Sequence, residues 1–141
     1  MRLWHKDLLR VLPQKQICSQ WRECCLIAKE IAENGTPNHI LVNKIMDYDI
    51  KDFITYTTLV RIEMERRHYK CNGDNFIKYF EPKINFTIWG KNIFEGWHND
   101  IYLRECLYNL EEKAMCGGIP ADDWKVIYER YKDKFELWSG N

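Results

Sequence analysis

The chain carries no excess charge of either sign. Lys plus Arg and Asp plus Glu each number 21, so the formal net charge is zero. Proteins that hold nucleic acid non-specifically usually have a basic surplus, and none is present. This excludes strong binding through overall charge. It leaves room for a local basic face, because segregation of charge matters more than its sum. No apolar run approaches the length of a membrane span, so no membrane partner is expected. Met1 to Val11 is charged throughout and lacks the apolar centre of a secretory signal. A cytoplasmic protein is therefore expected, with its six cysteines as reduced thiols. Cys18, Cys24, Cys25, Cys71, Cys106 and Cys116 include no CxxC spacing. They read as small buried apolar side chains, not as a metal or redox site. His5, His39, His68 and His98 lack convergent ligand spacing, so no metal and no other cofactor is expected. Each reads as a hydrogen-bonding residue at the surface or core edge. No internal repeat and no low-complexity tract occurs.

What is present is enough apolar matter for one core. Hydrophobic residues make up 45% and aromatics 14% of 141 residues, which fits a single domain over 1–141. The periodicity predicts an all-α, compact helical bundle with an irregular insert around 71–96. Pro13 is expected at the first position of a helix. That helix carries Ile17, Trp21, Cys24, Cys25, Ala28, Ile31 and Ala32 at three- and four-residue spacing. Asn34-Gly35 supplies its stop. His39 to Met46 reads as a helical turn or two. Asp49 is the expected cap of a second helix, with Asp52 completing a capping box. Its apolar stripe is Phe53, Ile54, Thr57, Val60 and Met64, and it ends near Arg66-Arg67-His68. The insert is rich in aromatics and is expected to pack over the helices, with a brief strand pair. Asn99 or Asp100 caps a third helix ending at Gly117-Gly118. A fourth starts after Pro120 and presents Trp124, Ile127, Tyr128, Tyr131, Phe135 and Trp138, with Tyr128 and Tyr131 expected in a core stripe.

The chemistry is concentrated in the first turns. An α-amino group has an ordinary pKa of about 7.7–8.0, against about 10.4 for a lysine. Near neutral pH such an amine is partly uncharged and can attack a carbonyl carbon. The first helix carries Trp21-Arg22-Glu23, and a carboxylate there could move the protons that the attack requires. Taken alone, Arg22 and Glu23 read first as a solvated helix pair. Arg2, Lys6, Arg10, Lys15 and Arg22 form one candidate basic face. Arg61, Arg66, Arg67 and Lys70 form another, and both also read as ordinary solvated surface.

Arg2, Leu12, Trp21, Arg22, Glu23 and Asn34-Gly35 together resemble the front of the pyrimidine-dimer DNA glycosylases, the phage-type endonuclease V enzymes. The resemblance continues more weakly from Phe53 to Tyr69. It returns at His98, at Leu110 to Lys113, and at Trp124, Tyr128 and Tyr131. Lys70 to Gly96 has no counterpart. The resemblance implies a DNA repair enzyme: a glycosylase with abasic-site lyase activity, forming a Schiff base on its N-terminal amine. It assigns the amine to Met1 and the general base to Glu23. It implies DNA contacts from Arg2, Arg22, Gln16 and Lys29. Gln16 stands where the family has a histidine. Leu26 stands where it has an arginine, whose charge Lys29 could replace. The implied partner is damaged double-stranded DNA, with the protein a monomer that joins the nucleoid when bound. Two other readings stay open on the residues themselves: a non-catalytic nucleic-acid-binding domain of the same fold, and a helical protein-interaction domain.

Overall fold

The computed structural model describes residues 1–71 and 92–139, with side chains up to Phe135. The chain starts without regular structure apart from one 3-10 turn at Lys6–Leu8, capped by the His5 side chain. Helix α1 follows over Gln14–Asn34. Pro13 lies one place earlier than expected. Its ψ of 159° keeps it outside the helix as the cap, while its carbonyl still accepts from the Ile17 amide at 3.0 Å. Gly35 ends α1 with φ at 78°, a left-handed conformation that favours glycine, and its amide bonds to the Ile31 carbonyl. The buried stripe holds Ile17, Trp21, Cys24, Cys25, Ile27 and Ala28. It fades at the end of the helix, where Ala32 is exposed.

His39 to Met46 forms a turn and then a 3-10 helix, Asn43–Asp47, that seats Ile45 in the core. Helix α2 spans Ile50–Arg66, with the Asp49 carboxylate accepting from the Lys51 amide. Asp52 does not close a capping box. Its carboxylate instead accepts from the Phe94 amide at 3.0 Å, tying two distant parts of the chain. Phe53, Ile54, Tyr56, Val60 and Met64 are buried. The hydroxyls of Thr57 and Thr58 donate back to the Phe53 and Ile54 carbonyls, which removes the cost of burying them. His68, at φ 62°, closes the helix end.

Helix α3 covers Asp100–Met115 and is capped by Asn99, which accepts from the Tyr102 amide at 2.9 Å. Helix α4 covers Ala121–Ser139, with a kink at Tyr131. Helices α1 and α2 pack together, as do α3 and α4. Of the insert, the described part brings Ile93 and Phe94 into the core. The expected strand pair falls outside the described residues. The fold is all-α, with no strand among the described residues. No helix among those residues is long and apolar enough to cross a membrane.

The cysteines divide. Cys24, Cys25 and Cys106 are buried, Cys18 and Cys71 half-buried, and all six are free thiols. Cys116 is exposed, against expectation, because it occupies the cap position at the end of α3.

Candidate N-terminal site

Residues 2–12 have almost no regular structure, so their backbone groups need partners from elsewhere. Side chains from three helices, and from residues flanking two of them, supply them. The Gln20 carboxamide of α1 accepts from the Trp4 amide at 2.7 Å. Its Nε2 donates to the Arg2 carbonyl at 3.1 Å. Tyr56 of α2 donates its hydroxyl to the Trp4 carbonyl at 2.6 Å. Tyr102 of α3 donates to the Leu3 carbonyl at 2.5 Å. His98 Nδ1 accepts from the Lys6 amide at 3.0 Å. The Arg67 guanidinium donates to the carbonyls of Leu9, Arg10 and Leu12. Leu3, Trp4, Leu8, Leu9 and Leu12 are buried beneath this framework. The N-terminus is thus held against α1 at defined points.

Glu23 is half-buried on α1. Burial raises its carboxyl above the ordinary glutamate value, against three opposing charges. The Met1 amine is the largest of these, ahead of Arg22 and Lys113. No direct ion pair joins the amine and Glu23, and Glu23 Oε2 instead accepts from Gln20 Nε2 at 3.2 Å. The Met1 side chain lines a hollow of about 260 Å³ with Leu26, Glu30, Pro37 and His39.

The four expected DNA contacts scatter. Arg2 is half-buried, with its guanidinium 5.6 Å from the Trp4 ring centre. It lines a separate hollow of about 340 Å³ with Lys44, Trp97, Tyr102 and Glu105. Arg22 is exposed and donates to Ser19 Oγ at 3.0 Å. It borders a third hollow, of about 630 Å³, with Lys15, Gly117 and Asp123. Lys29 is exposed farther along α1. Gln16 is buried, and its Oε1 has no hydrogen-bond partner.

Other expectations are corrected by burial. Arg67 is only 15% exposed and ion-paired to Glu63, so it cannot belong to a solvated basic face. Arg66 pairs with the same carboxylate, and Arg61 pairs with Glu65. His98 is not at the core edge. It is buried among Phe94, Trp97 and Tyr102. Burial first, then the charges of His5 and Lys6, push its imidazole down to about 3. Tyr128 is exposed rather than core. Tyr131 is half-buried and donates to the Asp7 carbonyl at 3.1 Å. Among the described residues, no group of His, Cys, Asp and Glu could hold a metal ion.

Sequence reasoning missed Gln20, Tyr56 and Tyr102, and placed Arg67 on a basic face rather than in this framework. One signal was available for Gln20. It sits between Ile17 and Cys24 on the apolar stripe of α1, and a polar residue at such a position must find partners when buried. The other three bond to carbonyls far away in sequence, and no local pattern announces that.

The sequence model of a family described as pyrimidine dimer DNA glycosylase matches residues 1–75, more than half of the 141 residues. Among curated proteins and among solved structures no significant match is found.

Proposed function

The chain belongs to the pyrimidine dimer DNA glycosylase family, and on that premise we propose that it cleaves damaged DNA as a combined glycosylase and abasic-site lyase. The nucleophile is the amine of Met1 and the general base is Glu23. The amine attacks C1′ of the damaged nucleotide. The C1′–N bond breaks, and the base leaves with the bonding pair and takes up a proton. The sugar opens as C1′–O4′ breaks, O4′ gains a proton, and the nitrogen loses one to become an iminium. At a plain abasic site the amine adds to the open aldehyde and water leaves. The iminium acidifies the C2′ hydrogen, so one carboxylate suffices to remove it. The C3′–O bond then breaks with phosphate as leaving group, and the strand is nicked. Water hydrolyses the product imine and frees the amine.

The observation that supports this reading is the Gln20 carboxamide, which donates both to the Arg2 carbonyl, next to Met1, and to Oε2 of the half-buried Glu23. Arg2, Arg22 and Lys29 are the proposed phosphate contacts, with Arg22 exposed and next to Glu23 in sequence. The departures at Gln16 and Leu26 favour the abasic site as the easier substrate. Extruding a base from a pyrimidine dimer costs several kcal/mol that fewer phosphate contacts repay less well. The test is borohydride trapping on abasic, thymine-dimer and undamaged duplexes. A covalent adduct on the abasic duplex and none on undamaged DNA is expected. Salt-sensitive binding without an adduct would make the chain a non-catalytic DNA-binding domain.

A further inference from the structure

We propose that Gln20 is the positioning residue of this site, holding the N-terminal segment and the Glu23 carboxylate in register through a single carboxamide. The inference rests on the Schiff-base reading above. Gln20 is wholly buried in the middle of α1. A buried carboxamide is costly unless its hydrogen bonds are made, and an apolar residue would fill the same stripe without that cost. Here both ends of the amide are used. Nε2 faces two acceptors, the Arg2 carbonyl at 3.1 Å and Glu23 Oε2 at 3.2 Å. Oε1 faces a donor, the Trp4 amide, at 2.7 Å. Acceptors on one side and a backbone donor on the other fix which way the amide points. The Tyr56 hydroxyl lies 2.9 Å from Oε1 and 2.6 Å from the Trp4 carbonyl, and closes the network from α2.

The consequence is a shared reference point. The Arg2 carbonyl is one residue from the Met1 amine, and Glu23 lies one turn along α1 from Gln20. The same NH₂ group touches both, so amine and carboxylate cannot drift apart independently. The bond also occupies Oε2 of Glu23. Oε1 has no hydrogen bond among the described residues, and it is the oxygen free to act on a substrate proton. Only a carboxamide can do this. An ionised glutamate at position 20 would set an acceptor against the Arg2 carbonyl and a negative charge against Glu23.

The experiment is Gln20→Glu in the full chain, with folding checked by circular dichroism. Schiff-base trapping and strand nicking are followed on an abasic duplex across pH. We expect nicking near neutral pH to fall by roughly 10-fold or more, since small misplacements of reacting groups are expensive. We also expect the acid limb of the pH–rate profile to move upward, because the added carboxylate disfavours ionisation of Glu23. A merely structural role would lower the amount of active protein without moving that limb. If wild type traps abasic DNA and the variant has the same rate and profile, the assignment of Gln20 is wrong. If wild type never traps, the Schiff-base reading itself has failed, and Gln20 loses its catalytic purpose with it. Should the variant not fold, wild type alone decides. The ¹⁵N resonance of the Gln20 side-chain amide should titrate with Glu23 and stop titrating in Glu23→Gln. A Gln20 amide that stays flat while Glu23 titrates overturns the proposal.

Discussion

Glu23 sits where opposing influences meet. Burial pushes its carboxyl up, and the Met1 amine, Arg22 and Lys113 pull it back. A base held in that balance keeps a higher affinity for the proton it removes than an exposed glutamate does. Glu23→Gln keeps the size and a hydrogen-bonding group and removes the base. Strand nicking should then fall by roughly 10²-fold or more, while borohydride still traps the adduct. Equal nicking by wild type and variant would return Glu23 to a structural role. The amine has its own test at the same scale. Acetylation, retained formyl or an uncleaved N-terminal tag turns it into an amide, whose lone pair is delocalised and does not attack. Trapping should vanish while duplex binding persists. Lys6 and Lys15 would be indifferent to such blocking, so a blocked protein that still traps would move the nucleophile to a lysine. Mass spectrometry should find the sugar on Met1.

Among the elements, the helices were legible and the ties between them were not. Asn34-Gly35, Asp49, Asn99 and Gly117 mark helix ends because capping is a local matter of one side chain and a few amides. The apolar stripes of α1 and α2 follow from periodicity alone. Asp52 escaped because its spacing suits a capping box, yet a backbone amide from the second half of the chain takes it first. Arg67 escaped for a similar reason. At a helix end it reads as a charge favouring the dipole. In the fold it donates to the carbonyls of Leu9, Arg10 and Leu12 while paired with Glu63, which is buried. Of the site, the proposed roles of Met1 and Glu23 come through the family resemblance. Gln20 needed the fold. Arg67→Ala tests how far the start of the chain depends on these ties. It strands three carbonyls and half-removes the partner of a buried carboxylate, so chemical denaturation should show a loss of about 3 kcal/mol or more. The loss should exceed that of Arg61→Ala, whose exposed pair with Glu65 contributes under about 1 kcal/mol. Equal losses would mean that the 9–12 turn holds itself.

At the scale of the whole molecule, pH acts on the same framework that holds the N-terminus. His98 accepts from the Lys6 amide through Nδ1, so it must be neutral to do so. Burial, with His5 and Lys6, holds it down at about 3, and His5, stacked on it at 5.1 Å, is also lowered by its own burial. An unfolded histidine titrates near 6.5. Between those values the unfolded chain binds a proton that the folded chain refuses, and stability rises with pH wherever that holds. The contribution of His98 is therefore complete above about pH 6.5 and lost progressively as pH falls, by about 1.4 kcal/mol per unit. Glu63 acts in the same direction at lower pH. Its own burial would raise it, but hydrogen bonds from Arg66 and Arg67 more than reverse this, so its share is lost as pH falls through the lowered value. Glu23, raised by burial, contributes the opposite slope over its own range. Melting temperatures from pH 4 to 8 should thus fall on the acid side. His98→Asn keeps an acceptor for the Lys6 amide and cannot titrate, so its melting profile should be flatter below pH 6.5. A variant profile parallel to wild type would clear His98 of the effect. The functional counterpart follows from geometry. Protonated His98 cannot accept from Lys6, and Lys6 belongs to the N-terminal segment that begins with Met1. With folded His98 neutral down to about 3, trapping by wild type and by His98→Asn should run parallel while the protein stays folded and separate only as pH falls toward that value, measured on the same abasic duplex at matched ionic strength.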